Sequence, residues 1–222
     1  KRAGIESSDV GQVVGGCINK IGAQAMNITR TAWLSHGGAQ EVAATTIDAQ
    51  CGSSQQAVNQ AHALIASGIE DVVLACGFEA MSLLPIGSDA FAGKQAGLGS
   101  PMSRTYFGHY EFISQFDGAE RIANKYEITR EDTDRFGLQS QERAAVAIAE
   151  GRFETQVIPI EAPVLDADGK KTDEKITVTR DEIPRDTSLE KLAQLKPVAG
   201  DGGIHTAGTS SQIADGASAV LM

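Results

Sequence analysis

The chain has 222 residues, which is enough for one substantial domain or for one domain with a large insertion. Hydrophobic residues make up 41% and charged residues 22%, the usual balance of a globular protein. The formal net charge is -10, and Lys and Arg are not clustered. This composition argues against a nucleic-acid or anionic-membrane partner, because both need basic clusters.

Cysteine usage and the absence of long apolar runs indicate the cellular setting that we expect for the protein. Cys17, Cys51 and Cys76 are widely spaced and show neither metal-ligand spacing nor a disulfide framework. With no signal peptide or membrane-length apolar run, we expect a reduced, cytoplasmic setting and no metal. Both ends of the sequence are abrupt, and we therefore expect a piece of a larger protein.

The first part of the chain alternates strand-like and helical patterns. Strand-like runs occupy Gln12–Val14, Val42–Ile47 and Asp71–Gly77, and a fourth, "ASAVLM", closes the chain. Asn27 can cap a first helix that ends at Gly37 and Gly38. A second helix is predicted over Ser53–Ser67, with Gly68 as its stop. This alternation predicts a parallel sheet with helices packed against it.

After Gly77 the pattern changes, and we interpret 103–203 as an insertion between two strands of one sheet. A long Gly-, Pro- and Ser-rich loop is predicted over 85–103. The segments predicted beyond it are helices at 118–126, 130–150 and 189–195 and a hairpin around "DADG" within 157–180. Thr129 can cap the long second helix.

Cys51 is the strongest nucleophile candidate. It stands in "DAQCGSSQQA", where a β-type run meets a predicted helix. The unpaired N–H groups and the dipole at a helix N-terminus favour an anion, and the thiolate is the nucleophilic form of cysteine. The alternative is a buried structural cysteine, which is a common fate of a free thiol.

The other candidate groups favour structural roles. Cys17 and Cys76 lie in or after apolar strands and are expected to fill core space. No histidine adjoins Cys51 in the sequence, so the general base of a Cys–His pair is not evident. The segment 202–218, "GGIHTAGTSSQIADGAS", could donate hydrogen bonds to a ligand or form a tight turn.

Four segments in order resemble the thiolases, the acetyl-CoA C-acyltransferases. "TTIDAQCGSSQQA" resembles their nucleophile segment, and "ACGFEAMS" is similar to the strand end that follows it. "ITREDTDRFGLQSQERAAVAIAEGRF" resembles a helix of their CoA-binding loop domain, and "LKPVAGDGGIHTAGTSSQIADGASAVLM" resembles the return into the core sheet. The likeness covers nearly the whole chain.

The resemblance implies an α/β fold, half of a five-layered αβαβα subunit with a mixed, mainly parallel sheet. Its parts would be an N-terminal core without its first strand at 1–102, an inserted α+β CoA-binding loop domain at 103–203, and a return to the core at 204–222. Cys51 would accept the acyl group of a 3-ketoacyl-CoA, and its backbone N–H would help to hold an oxyanion. Coenzyme A would be a substrate, with no further cofactor.

The resemblance also implies a set of substrate contacts. Ser211 matches a serine that contacts pantetheine, and Arg185, Asp186 and Thr187 fall near the nucleotide end of CoA, where an Arg suits phosphate. Gln115 occupies a substrate-facing position that is His-Met in many short-chain thiolases. This departure argues against acetoacetyl-CoA and favours a branch that acts on bulky, even steroid-derived, acyl chains.

Two family motifs are absent from this sequence, namely Gly-His-Pro with the activating histidine and Cys-x-Gly with a second acid/base cysteine. Both belong to the second half of a thiolase, so we expect that half as a partner, a homodimer or tetramer, and no complete activity in this chain alone. The alternatives are a non-catalytic CoA-binding half and a ketosynthase. Ketosynthases lack the loop domain.

Overall fold

The computed structural model describes residues 2–222, which form two compact units. The first unit comprises the residues up to 110 together with 213–222, and the second comprises 111–212. The sequence placed these boundaries at 102/103 and 203/204. The second one lies later because the backbone N–H groups of Ile204 and His205 donate to Glu120 and Thr206 pairs with Pro197, which ties this segment to the second unit.

A four-stranded sheet forms the centre of the first unit. Its strands are β1 (Gln12–Gly16), β2 (Ala43–Ile47), β3 (Val73–Ala80) and β6 (Asp215–Leu221), in the order β2-β1-β3-β6. β1 runs parallel to both β2 and β3, whereas β6 is antiparallel to β3. The predicted mixed, mainly parallel sheet is therefore confirmed.

Two helices pack on the sheet of the first unit. α1 (Ile28–Ser35) begins after Asn27, whose side chain accepts a hydrogen bond from the Arg30 N–H, and α2 (Ser53–Ala66) ends just before Gly68. Val13 belongs to the core cluster that contains Trp33 of α1, and Val14 belongs to the cluster with Ala57 of α2. Because successive side chains of a strand point to opposite faces of the sheet, α1 and α2 pack against separate apolar clusters.

One loop prediction was wrong in part. The segment 85–103 contains a helix, α3 (Ser88–Gln95), and a further short helix, α4 (Arg104–His109), follows it. Gly87 adopts a left-handed conformation with φ 83° directly before α3, so the glycine that indicated a loop marks a helix start instead.

The second unit contains three helices and a hairpin. Its elements are α5 (Gln115–Lys125), α6 (Arg130–Ala149), β4 (Ile160–Leu165), β5 (Lys171–Val178) and α7 (Leu189–Ala193). Ser114, Thr129 and Ser188 each cap the helix that follows through a side-chain oxygen. β4 and β5 pair antiparallel, as predicted. Over residues 2–222, none of the helices has both the length and the apolar character that a membrane span requires.

Candidate active site

Cys51 lies in the turn that joins the end of β2 to the start of α2. Gly52 is the N-cap residue of α2 and Ser53 is its first residue, so the thiol directly precedes the positive end of a helix of 14 residues. The side chain is exposed. Because β2 is parallel to β1, this turn stands at the carboxyl edge of the parallel strands, where ligand sites of α/β sheets are usually found.

Hydrogen bonds close the turn tightly around Cys51. The Ser53 hydroxyl accepts from the Ala49 N–H at 2.9 Å and donates to the Gln50 carbonyl at 2.5 Å. The Gly52 N–H donates to the Ala49 carbonyl at 3.1 Å. Gln50 has a φ of 52°, in the left-handed region that residues with a Cβ rarely adopt. The position of the thiol is therefore set by backbone geometry on both sides.

Two glycines let the start of α2 approach the sheet. Gly16 of β1 and Gly77 of β3 are register partners and face the same side. A Cβ on Gly16 would stand 2.5 Å from the Ser54 backbone nitrogen, and one on Gly77 would collide with the Ser54 side chain. Larger residues at these positions would push the helix, and Cys51 with it, away from the strand ends.

The other two thiols have different environments. Cys17 is buried, and burial and the nearby Glu79 raise the pKa of its thiol to about 11. Cys76 is partly buried, and burial raises the pKa of its thiol as well. Both groups are therefore held in the neutral form at neutral pH, which is the state of a structural cysteine.

Two histidines of the first unit, His36 and His62, do not pair with Cys51. His62 is exposed on α2, and the ring of His36 contacts the Ala32 carbonyl beyond the end of α1. In the second unit, the His205 ring lies 3.0 Å from a Glu120 carboxylate oxygen. Among residues 2–222, no group of His, Cys, Asp and Glu is arranged to hold a metal ion.

The second unit contains a cavity of about 410 Å³ that is open to solvent. Four of the residues predicted to contact CoA line this cavity, namely Arg185, Asp186, Thr187 and Ser211. Gln115, the first residue of α5, is exposed and is not among the lining residues. The sequence-predicted set is thus brought together except for Gln115.

Close backbone approaches build the wall of this cavity. A Cβ on Gly137 of α6 would stand 2.6 Å from the Gly208 carbonyl oxygen, and one on Gly208 would collide with Leu192 of α7. The Gln141 side chain accepts a hydrogen bond from the Arg185 N–H at 2.9 Å. Two helices and the loop after residue 205 are thereby held together around the open space.

The lining residues that the sequence reasoning missed include Gln141 and Lys191. Lys191 provides a second cation beside Arg185, and its amino group lies 3.4 Å from the Asp186 carbonyl oxygen. The position of Lys191 in the last turn of a short helix after "RDTS" was a usable signal, because the helix brings it back towards Arg185. Gln141 gave no such signal within the long polar face of α6.

Comparison with known proteins places this fold in one class, that of the thiolase-type proteins. The family model described as "Thiolase, N-terminal domain" matches residues 1–222. The chain belongs to the thiolase family and carries its N-terminal domain.

Individual relatives agree with this assignment. The chain is 43% identical to the steroid 3-ketoacyl-CoA thiolase FadA6 of Mycobacterium tuberculosis, with 100% of the chain and 52% of the relative covered. It is 36% identical to an acetyl-CoA acetyltransferase of Syntrophomonas wolfei, covering 100% of the chain and 56% of that protein. The crystal structure of the Bacillus anthracis acetyl-CoA acetyltransferase matches with a TM-score of 0.74 at 32% identity, over 98% of this chain and 54% of the other. The chain thus spans about half the length of these relatives.

Proposed function

We propose that this chain is the nucleophile-bearing half of a 3-ketoacyl-CoA thiolase and that Cys51 is the residue that accepts the acyl group. The observation that carries the proposal is the exposed thiol directly before the N-terminus of α2, at the carboxyl edge of the parallel strands. The family of the chain and the names of its relatives support the same chemistry.

The proposed reaction has two steps. The Cys51 thiolate attacks the 3-keto carbon of a 3-ketoacyl-CoA, and the bond between C2 and C3 breaks. The electron pair of that bond stays on C2, which takes a proton from an acid and leaves as acetyl-CoA. The thiol of a second CoA then loses its proton to a base and attacks the Cys51 thioester, which releases the shortened acyl-CoA and the thiolate. The reverse sequence is a Claisen condensation.

The cavity of the second unit would hold CoA. Arg185 and Lys191 offer two cations for its phosphates, and the Ser211 hydroxyl is a candidate partner for pantetheine. CoA is here a substrate, and no further cofactor is needed for the chemistry. We retain Gln115 as a contact of the acyl chain, although it does not line this cavity.

The proton donor and the base of this scheme would come from a second thiolase half. The sequence contains neither Gly-His-Pro nor Cys-x-Gly. Strand β6 is exposed along its whole length, which leaves a surface for such a half to cover. We therefore expect the 222-residue chain alone to take an acyl group slowly and not to complete thiolysis. The homodimer or tetramer and the cytoplasmic location remain predictions.

The acyl substrate is proposed to be bulky. Support comes from Gln115 in place of the His-Met pair of short-chain thiolases and from the 43% identity with a relative named as a steroid thiolase. Rates with 3-ketoacyl-CoA thioesters of increasing bulk test this point. A clear preference for acetoacetyl-CoA would contradict it.

The central experiment is acylation followed by mass spectrometry. The complete protein that carries this chain is incubated with acyl-CoA donors and digested, and the acylated peptide is identified. We expect the adduct on the peptide containing Cys51, its loss in Cys51→Ser, and its retention in the control Cys76→Ser. An adduct on Cys17 or Cys76 with Cys51 unmodified would overturn the assignment.

A further inference from the structure

One ion pair ties the turn before Cys51 to the loop after strand β1. The Lys20 amino group donates to one carboxylate oxygen of Asp48 at 2.9 Å, and the other oxygen accepts from the Gln50 N–H at 3.0 Å. A single carboxylate therefore makes both a local contact and a long-range contact within the first unit. Partial burial raises the pKa of Asp48, but these two contacts outweigh it, so that the pKa lies below its usual value.

The loop that carries Lys20 is itself anchored to β3. The Glu79 carboxylate accepts hydrogen bonds from the Ile18 N–H at 2.9 Å and from the Asn19 N–H at 3.3 Å. The Gln24 side chain donates to Glu79 at 2.6 Å, and its oxygen accepts from the Ala80 N–H at 2.9 Å. The loop that carries Lys20 is therefore held in place by hydrogen bonds to β3.

The turn needs such support because of Gln50. Its left-handed backbone, with φ 52°, is unfavourable for a residue with a Cβ and persists only where the surroundings impose it. Gln50 directly precedes Cys51. If its backbone relaxed to the ordinary region, the chain direction at Cys51 would change and the thiol would turn with it.

We propose that Lys20 and Asp48 are positioning residues that hold Gln50 in its left-handed conformation and thereby orient the Cys51 thiol for attack. Neither residue touches the reacting atoms. The inference rests on the proposed acyl transfer and adds to it the group that sets the nucleophile's direction.

The test compares four variants of the complete protein with one control. Lys20→Met and Asp48→Ala remove the ion pair, Asp48→Asn keeps an acceptor for the Gln50 N–H, and Lys20→Arg keeps the charge. Lys175→Met is the control, because it breaks an ion pair with Glu161 on the exposed hairpin of the second unit. Three measurements are made: amide hydrogen exchange in the turn, the kcat and KM of acyl transfer, and alkylation of Cys51 by iodoacetamide.

Loss of the Lys20–Asp48 ion pair should change the orientation of the Cys51 thiol without reducing its exposure. For Asp48→Ala we expect kcat to fall about tenfold or more, with KM and the alkylation rate within about twofold of the wild type, because small errors in orientation slow a positioned attack far more than binding. Lys20→Met should also lower kcat, and Asp48→Asn should lower it less. Lys20→Arg should keep the wild-type kcat. The Gln50 amide should exchange faster in Asp48→Ala while the middle of α2 does not change.

Contrary results are separable. Wild-type exchange in the turn of Asp48→Ala and Lys20→Met would overturn the positioning role, whether or not the protein transfers acyl groups. If the turn exchanged faster in these variants while kcat stayed unchanged, the ion pair would fix the turn without contributing to acyl transfer, and the functional part of the proposal would be overturned. A wild-type protein that never acylates Cys51 would instead refute the proposed function, and the exchange result would still decide whether the pair fixes the turn.

Discussion

The two units hold their candidate sites in different ways. In the first unit, two apolar clusters on opposite faces of the sheet fix the strands whose ends carry Cys51. In the second unit, the buried hydrophobic residues among those described are only Ala123, Ala147 and Leu192. Two charged groups, the Arg130 guanidinium that pairs with Asp134 and the Glu120 carboxylate, make many of its internal connections. The turn that carries Cys51 is thus supported by an apolar core, and the cavity is supported by hydrogen-bonded charges.

This difference determines which substitutions each unit should tolerate. An apolar core loses stability gradually as methylene groups are removed or added. A buried charge that loses its partner is left uncompensated, which costs more. The second unit should therefore be sensitive at a few polar positions, and the first unit at positions of close packing.

The largest effect is expected for Arg130→Met. Arg130 donates to the buried Asp134 at 2.8 Å and to the Leu192 and Leu195 carbonyls at 2.7 and 3.0 Å. Asp134 Oδ1 already has no hydrogen-bond partner within the described structure. Removing the guanidinium leaves a buried carboxylate unpaired, and we expect a loss of about 3 kcal/mol in the second unit. Hydrogen exchange of the α6 and α7 amides measures it.

A matched control lies on the same helix. Arg135 pairs with Glu131 at the same i,i+4 spacing, but both side chains are exposed. Arg135→Met should change the exchange of α6 little, because exposed pairs contribute little to stability. Equal losses for the two variants would contradict the idea that burial of Asp134 makes the difference.

The next effect concerns close packing in the first unit. Gly16→Ala places a Cβ 2.5 Å from the Ser54 backbone nitrogen and 2.6 Å from the Ser53 carbonyl carbon. We expect a loss of about 2 kcal/mol in stability, since backbone atoms must shift, and slower acylation of Cys51. Urea unfolding and the acylation rate are the measurements.

Gly93→Ala is the control for this substitution. Gly93 lies in α3, and a Cβ there would meet no atom within 4 Å. This variant should gain roughly 0.5 kcal/mol, because alanine loses less conformational entropy in a helix. If Gly16→Ala were equally harmless, the start of α2 would not depend on its contact with the sheet.

The same contrast explains what the sequence could predict. The periodicity of Val13 and Val14 and the caps at Asn27 and Thr129 are local signals, so the sheet and most helices followed from them. The turn that carries Cys51 was predicted from its residue types. The long-range hydrogen bonds of Arg130 and Glu120 join residues more than 50 positions apart, such as Arg130 with Leu192, and no local sequence pattern predicts them.

The unpredicted helix α3 illustrates the same limit. Its eight residues, "SDAFAGKQ", include a glycine and follow a Gly-containing segment, so composition indicated a loop. Nothing in the segment repeats long enough for a helical period to emerge. Gln141 was missed at the cavity for a related reason, because the long polar face of α6 carries no local signal of which residues line the cavity.

The third prediction is a pH dependence in the second unit. Partial burial raises the pKa of Glu120, but hydrogen bonds from the His205 backbone and ring and from the Ile204 N–H outweigh it, so the pKa lies below its ordinary value of 4.5. A carboxyl group with a lowered pKa stabilises the folded state above about pH 4.5 and loses this effect as the pH falls through the folded-state pKa. Glu120→Gln should therefore be less stable by about 1 to 2 kcal/mol at pH 7.

The difference between Glu120→Gln and the wild type should shrink as the pH is lowered below 4.5. Urea unfolding from pH 7 to pH 3, followed by hydrogen exchange of residues near 204–206, measures it. A constant difference in stability across this range would show that the negative charge of Glu120 does not contribute to the stability of the folded state.

The smallest effect is expected in the cavity, where the proposed role of a side chain is to bind CoA rather than to stabilise the fold. Arg185 is exposed and is held through its backbone N–H by Gln141, so Arg185→Ala removes a cation without breaking that hydrogen bond. We expect about tenfold weaker CoA binding, or about 1.4 kcal/mol, with unchanged stability. Arg180→Ala is the matched control, since Arg180 lines a different cavity of the same unit. Calorimetric titration with CoA separates the two, and equal affinities for both variants would remove Arg185 from the proposed phosphate contacts.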